Sequence, residues 1–168
     1  MMRAMFLNRL SFIILIALFI QGFIPVPLRA AEQWEGVVVY VLDGDSIKVK
    51  VDGRVKVVRL KGIDAPEKGQ PHAEEASLFV RHLTLHQPVT LKVFGLDKYE
   101  RVLAEVTMKD GLNLNQEIVR RGLAWQHIAY SKDKTLRSLE REARDARLGL
   151  WAEANPEPPW VWKRRHGK

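Results

Sequence analysis

The sequence predicts an α+β protein in which a small β-barrel carries packed helices. Short β-branched segments with period-two alternation predict four or five strands, and Asp-Gly pairs at 52–53 and 110–111 mark turns. Three further segments place apolar residues at the spacing of an amphipathic helix. Interspersed strands and helices favour a Greek-key barrel, although periodicity alone does not decide whether the barrel closes.

The second predicted strand and its return form a hairpin. Asp52-Gly53 is a strong hairpin signal between two alternating segments. The apolar pattern favours a three-residue loop that pairs Val49 with Val57, rather than a two-residue turn that pairs Val49 with Lys56. Either register brings Asp45 and Arg59 to the same end of the hairpin, away from the turn.

The other elements follow from periodicity and capping signals. Strands are predicted at 89–94 and 102–108, and helices at about 73–85, 113–121 and 134–148. Asn113 and Gln116 resemble a capping box that opens the second helix, and Gly122 supplies its stop. Pro156, Pro158 and Pro159 are expected to end regular structure.

The first thirty residues have the layout of a secretory signal peptide. Arg3 and Arg9 precede an apolar run at 12–20, and a cut after Ala30 fits the pattern. The run is shorter than the roughly 20 residues that a spanning helix needs. A retained N-terminal anchor is the alternative. We therefore expect export to the periplasm or the medium, a folded domain at 31–152, and a proline-rich, aromatic and basic tail at 153–168.

The amino-acid composition excludes cysteine-based sites and indicates the charge of the partners. The 168-residue chain has no cysteine, which excludes disulfides, thiolate zinc sites and cysteine nucleophiles. The net charge is +7, which favours polyanionic partners. Three basic residues and no acidic ones lie in residues 1–30, so the remainder carries +4 and part of the basic bias belongs to targeting.

Two acidic segments are expected to meet at one rim. The hairpin places Asp43 and Asp45 beside Asp64 and Glu67, with Arg59 near them. Carboxylates gathered in one place repel unless a cation joins them, and oxygen ligands favour calcium or magnesium. A fixed guanidinium beside such a cation suits a phosphate group. Taken singly, each segment is also an ordinary turn composition.

Three motifs in this order resemble the thermonuclease, or staphylococcal nuclease-like, family. They are VLDGDS at 41–46, VRLKGIDAPE at 58–67 and DKYERVLA at 97–104, and the likeness extends over about 34–151. The resemblance implies an OB-fold, a five-stranded barrel with three helices. It also implies calcium-dependent hydrolysis of phosphodiester bonds in DNA and RNA with little sequence specificity.

The resemblance further implies a metal site and a catalytic carboxylate. Asp45 and Asp64 would be direct calcium ligands, together with the carbonyl oxygen of Ala65. Asp43 would act at longer range or through water. Glu67 would position or deprotonate the attacking water.

The phosphate contacts are implied in the same way. Arg59 and Arg101 would hold the scissile phosphate, and Lys98 and Tyr99 would contact a nucleotide phosphate. Glu100 departs from the family, because a well-known member has glycine there. We expect strain if this position needs a positive φ, and competition by the Glu100 carboxylate for Arg101.

Competing functions stay open at this level. The alternatives are a non-catalytic OB-fold module that binds nucleic acid and an OB-fold for another ligand such as an oligosaccharide. An intact set of acids and arginines favours the enzyme. DNA and RNA are the expected partners, no obligate protein partner is evident, and a membrane is involved only if the N-terminal segment is retained. The tail at 160–168 is a candidate for binding nucleic-acid or membrane phosphates.

Overall fold

A computed structural model describes residues 32–166 of the chain. The predicted signal peptide or anchor lies outside the described residues. Within residues 32–166, no helix is both long and apolar enough to cross a membrane.

Five strands close into a barrel in the order β1-β2-β3-β6-β5, and two short strands pair separately as β4-β7. The strands are β1 Glu32–Val41, β2 Ser46–Val51, β3 Arg54–Leu60, β4 Ile63–Asp64, β5 Pro88–Leu96, β6 Val102–Met108 and β7 Trp125–Gln126. Closure depends on the parallel pairing of β3 with β6, where Val58 lies opposite Val102. The predicted five-stranded OB-fold barrel is confirmed.

The predicted register of the β2-β3 hairpin is wrong. Val51 pairs with Arg54 and Val49 with Lys56, so the turn has two residues. Asp52 and Gly53 both have positive φ, 47° and 77°, as the favoured two-residue hairpin turn requires. The turn geometry therefore determines the register. Apolar side chains of β3 near the turn lie on the outer face of the barrel, where Val55 is 56% exposed.

Three predicted helices are present, with small shifts at their ends. They are α1 Ala73–Thr84, α2 Leu114–Arg120 and α3 Lys134–Asp145, followed by a 3₁₀ turn at Gly149–Ala152. The Asn113 side chain accepts a hydrogen bond from the Gln116 backbone N–H at 3.0 Å, which confirms the predicted cap. Gly122 follows α2 with φ 68°.

The prediction that Pro156, Pro158 and Pro159 end regular structure is wrong, because the tail contains a helix. A fourth helix among the described residues, α4, spans Pro159–His166. Proline is favoured at the first helical position, because that N–H has no partner within the helix, so Pro159 starts α4 rather than preventing it.

The barrel interior and the helices share an aliphatic core. Its largest fully buried members include Ile47, Leu60, Ile63, Leu91 and Ile118. A second cluster joins Trp125 to Trp151 in an edge-to-face contact, with ring centroids 5.2 Å apart. Both tryptophans are buried core residues.

Candidate active site

The end of the β2-β3 hairpin opposite its turn positions Asp45 and Arg59. Ser46 pairs with Arg59 across the two strands, and the Leu60 N–H donates to the Asp45 carbonyl oxygen at 2.8 Å. Nη2 of Arg59 lies 3.0 Å from Oδ2 of Asp45. The predicted meeting of these two residues is therefore confirmed by the strand pairing, in spite of the register error.

Asp64 reaches the same guanidinium from β4. Pairing of β4 with β7 sets Asp64 opposite Trp125, and Oδ1 of Asp64 lies 2.6 Å from Nη2 of Arg59. Nη1 of Arg59 donates to the carbonyl oxygens of Leu60 and Ile63, each at 2.9 Å. Four acceptors therefore fix one guanidinium between two carboxylates.

The Asp43-Gly44-Asp45 loop packs tightly against the other acidic segment. A Cβ atom at Gly44 would lie 2.8 Å from the Cβ atoms of both Ala65 and Ala76, so only glycine fits without displacement. The Ala65 N–H donates to Asp45 Oδ2 at 2.7 Å, and the Asp45 N–H donates to Asp43 Oδ1 at 3.0 Å. This packing brings Ala65, Asp43 and Asp45 together.

Burial makes the carboxylates hard to ionise. Asp45 and Asp64 are only 6% and 4% exposed, and burial raises the pKa of both, against the opposing charge of Arg59. Burial and the neighbouring charge of Asp45 raise the pKa of Asp43 to about 6. Asp45 and Asp64 share Arg59 as their ion-pair partner, and Asp43 adds a third carboxylate beside them, so the cluster holds more negative than positive charge.

This charge imbalance and these donors fit a hard cation. Asp45 and Asp64 provide carboxylate oxygens, and the Ala65 backbone follows Asp64 directly. Carboxylate and carbonyl oxygens are the ligands that calcium takes in proteins. Among residues 32–166, no group of three or more His, Asp or Glu side chains is arranged to hold a metal by itself. The fit therefore concerns two carboxylates and a carbonyl, not the four-carboxylate rim.

Glu67 lies on the loop after Ala65 and is held from two sides. Its N–H donates to Gln70 Oε1 at 3.0 Å. Its Oε1 lies 2.5 Å from Nζ of Lys163 on α4. The charge of Glu67 contributes to the raised pKa of Asp64, which places Glu67 beside the cluster. The carboxylate side chain is 30% exposed and thus open to water.

Arg101 lies in a separate loop between β5 and β6. Its Nε and Nη2 both lie 2.7 Å from Oδ2 of Asp97, and Oδ1 of Asp97 accepts from the backbone N–H groups of Tyr99 and Arg101. Those hydrogen bonds lower the pKa of Asp97 despite some desolvation. Lys98 Nζ lies 4.9 Å from the Tyr99 ring centroid, and Tyr99 is 66% exposed.

The two groups of predicted site residues are not in direct contact. Across residues 32–166, no hydrogen bond or ion pair joins this loop to Asp45, Asp64 or Glu67. Arg101 nonetheless directly precedes β6, which lies beside the strand of Arg59, because Leu103 pairs with Arg59 in the parallel ladder. The loop presents Lys98, Tyr99 and Arg101 as a cationic and aromatic surface.

Glu100 does not compete for Arg101, contrary to expectation. Asp97 binds the guanidinium instead, because its side chain caps the loop and faces Arg101. The backbone expectation is confirmed, since Glu100 has φ 62°, in the region that favours glycine.

Three residues near the site were missed by sequence reasoning. Asp97 stands four residues before Arg101, a spacing that could have predicted their pairing. Lys163 reaches Glu67 only through the fold, so no local signal indicates it. His127 packs against Trp160 with ring centroids 5.3 Å apart, and burial together with the charge of Arg59 lowers its pKa.

Comparison with known proteins agrees with this arrangement. A family model described as "Staphylococcal nuclease homologue" matches residues 57–153. That match covers more than half of the chain and includes Arg59, Asp64, Glu67 and Arg101. The chain belongs to the staphylococcal nuclease homologue family.

Named relatives cover most of the described chain. A protein of Escherichia coli named as an uncharacterized endonuclease is 42% identical over 130 residues, which cover 77% of this chain and 85% of the relative. A micrococcal nuclease of Shigella flexneri is 38% identical over 149 residues, which cover 83% and 86%. A staphylococcal-like nuclease of Arabidopsis thaliana is 36% identical over 107 residues, but the match covers only 33% of that longer protein.

Proposed function

We propose that this protein is a calcium-dependent nuclease that hydrolyses phosphodiester bonds in DNA and RNA with little sequence specificity. The family and the nuclease names of its relatives support the nuclease activity itself. One structural observation carries the site assignment. Arg59 is fixed between Asp45 and Asp64, at 3.0 and 2.6 Å, beside the partly exposed Glu67.

Asp45, Asp64 and the Ala65 carbonyl oxygen would hold the calcium ion. When bound, the ion would supply positive charge that stabilises a phosphate as it gains negative charge. Asp43 would add negative charge to the site through its bond to the Asp45 N–H, without serving as a direct ligand.

Glu67 would accept the proton of the attacking water. Its carboxylate is open to solvent, and the Gln70 amide oxygen anchors its backbone. Arg59 and Arg101 would bind the phosphate oxygens, because a planar guanidinium can donate two parallel hydrogen bonds to them. Lys98 and Tyr99 would contact a neighbouring phosphate of the same strand.

The assignment of the ligands is tested by calcium titration. Asp45→Ala and Asp64→Ala should each weaken calcium binding, measured calorimetrically, while Asp110→Ala in an exposed turn should leave it unchanged. Unchanged affinity in both site variants would remove the two aspartates from the ligand set.

A non-catalytic OB-fold module is the second candidate. It would bind single-stranded DNA and RNA without releasing products, whereas the proposed enzyme shortens them. The retained Glu67, Arg59 and Arg101 favour the enzyme, because binding alone does not need a partly exposed carboxylate beside the phosphate site.

We also propose that the protein is exported. The signal-like residues 1–30 support this, and the absence of cysteine makes folding independent of an oxidising compartment. Mature protein should begin near Ala31 and be recovered outside the cytoplasm. N-terminal sequencing that finds Met1 on membrane-bound protein would favour an anchor instead.

A further inference from the structure

Helix α4 lies beyond residues 57–153, which the family model matches, yet it is fixed beside the site. Lys163 binds Glu67 at 2.5 Å, and Trp160 packs against His127. The segment before α4 is held too, because the Gln70 side-chain amide donates to the Glu157 carbonyl oxygen at 2.5 Å. The helix is therefore positioned by three independent contacts with the catalytic domain.

The charge of α4 is concentrated on its second half. Lys163, Arg164 and Arg165 are consecutive and exposed, and we call them the basic edge. Trp160, Lys163 and Arg164 stand at i, i+3 and i+4, so they share one side of the helix. Because Trp160 and Lys163 both contact the domain beside the site, Arg164 extends this side along the surface next to Glu67.

The basic edge lies beside a site whose negative charge opposes the binding of a polyanion. Asp43, Asp45, Asp64 and Glu67 would repel a polyanion before any cation binds. The cations already found there are occupied: Arg59 by two carboxylates and Arg101 by Asp97. Burial alone would lower the pKa of Lys163, but its hydrogen bond to Glu67 and the charges of Glu67, Asp64 and Asp45 together raise it. The helix therefore delivers further positive charge to the edge of this acidic cluster.

We propose that the basic edge binds backbone phosphates of a nucleic-acid strand, namely the phosphates that flank the scissile bond. Arg164 has no acidic partner within 4 Å among residues 32–166, and Arg165 exchanges its surface pair with Glu157 for a phosphate. The inference rests on the proposed nuclease function and extends it from the reacting phosphate to the flanking ones. A membrane surface would use the same charges, and the test separates the two.

The test compares a double variant with a matched control. Arg164→Ala with Arg165→Ala removes two charges of the basic edge and spares Lys163. Lys50→Ala with Arg54→Ala removes two exposed charges at the turn end of the β2-β3 hairpin, opposite Arg59. The protein, expressed from its full coding sequence, is assayed with calcium on single-stranded DNA of about 20 nucleotides, longer than two phosphate contacts need, and on a dinucleotide.

We expect KM for the longer DNA to rise about tenfold at low salt in the Arg164/Arg165 variant, and the slope of log affinity against log salt to weaken by about 1.4 for two lost contacts. The loss on the dinucleotide should be several times smaller, because that substrate does not reach the basic edge. The control variant should change neither value by more than about twofold.

Several results would overturn the proposal. Equal losses on both substrates would assign the two arginines to folding or to the reacting phosphate, and equal losses in the control would indicate general charge attraction. A variant that keeps the wild-type KM but loses binding to phosphatidylglycerol vesicles would assign the edge to membranes. If the wild type hydrolyses neither substrate, the nuclease proposal fails, and equilibrium binding of the labelled DNA in chelator then tests the basic edge separately.

Discussion

Arg59 and Asp64 form the shorter of the two ion pairs that Arg59 makes, with Nη2 and Oδ1 2.6 Å apart. Asp45 shares the same nitrogen at 3.0 Å. Arg59 thus has two tasks. It neutralises buried carboxylates in the free protein, and it provides the guanidinium proposed to bind phosphate.

Replacement of Arg59 by lysine should therefore affect both activity and stability. An ammonium group keeps the charge but has only three N–H donors, so it cannot satisfy all four acceptors. We expect turnover to fall roughly 100-fold or more, as after the loss of one oxyanion donor. Removing a buried partner altogether costs about 3–5 kcal/mol, so Arg59→Ala should unfold at a clearly lower temperature. Lys56→Arg, a basic exchange on the same strand, is the control. Wild-type turnover in Arg59→Lys would exclude the arginine from phosphate binding.

Glu67→Gln should separate catalysis from binding. Glutamine keeps the shape of the side chain but cannot accept a proton from water. We expect turnover to fall by about 10²–10⁴-fold, with KM changed little. Steady-state kinetics on single-stranded DNA measure both values. Lys68→Gln, an exposed neighbour, controls for disturbance of the loop. A Glu67→Gln enzyme with wild-type turnover would assign water activation to another group.

The buried carboxylates should make the metal-free protein less stable as pH rises. The pKa of Asp43 is about 6 in the folded state, against an ordinary value of 3.8 in the unfolded chain. Between these two pH values the folded state therefore binds more protons than the unfolded state. The free energy of unfolding therefore decreases as pH rises from about 4 to 7. Burial also raises the pKa of Asp45 and Asp64, which acts in the same direction.

Asp43→Asn should weaken this pH dependence, because it removes a half-buried charge and keeps the oxygen that accepts from the Asp45 N–H. In chelator at pH 7.5 it should stabilise the protein by about 1–2 kcal/mol. Asp110→Asn is the matched control, since its Oδ1 accepts from the Leu112 N–H in an exposed turn. Urea unfolding at pH 5 and 7.5 measures the effect. Equal pH dependence in wild type and Asp43→Asn would contradict it.

Glu100→Gly should stabilise the protein without repairing a catalytic defect. Relief of the left-handed backbone at φ 62° favours glycine by about 1–2 kcal/mol, less the entropy that glycine loses on folding. We expect a net gain of about 0.5–1 kcal/mol in thermal unfolding. Turnover should change less than twofold, since Asp97 rather than Glu100 binds Arg101. A large rise in turnover would show that Glu100 does restrain Arg101 in solution.

The sequence predicted most of this fold because its local signals agree with its tertiary packing. The Asn113 cap, the Gly122 stop and the strands of the barrel all rest on short-range patterns. The hairpin register failed where two signals conflicted, since the turn at Asp52-Gly53 outweighed the apolar alternation of β3. The prolines at 156–159 predict an end to regular structure and so do not indicate α4, whereas Pro159 occupies the first helical position, which suits proline.

The site was predictable to a similar extent. The proximity of Asp45 and Arg59 follows from the hairpin alone, because the two strand ends opposite the turn must lie side by side. The contact between Lys163 and Glu67 does not, since it depends on how the last helix returns across the domain. Closure of the barrel through the parallel β3-β6 pairing is also not predictable from local patterns, because the alternation within a strand does not identify its partner strand.

Calcium-dependent nuclease activity is tested by product release from single-stranded DNA and RNA, with the purified protein in calcium, in magnesium or in excess chelator. Calcium accepts irregular oxygen coordination, whereas magnesium requires a near-octahedral set. We expect hydrolysis of both nucleic acids with calcium, little with magnesium and none in chelator, and loss of activity in Asp45→Ala and Asp64→Ala. Full activity in excess chelator, or binding of both nucleic acids without cleavage under any of these conditions, would contradict it.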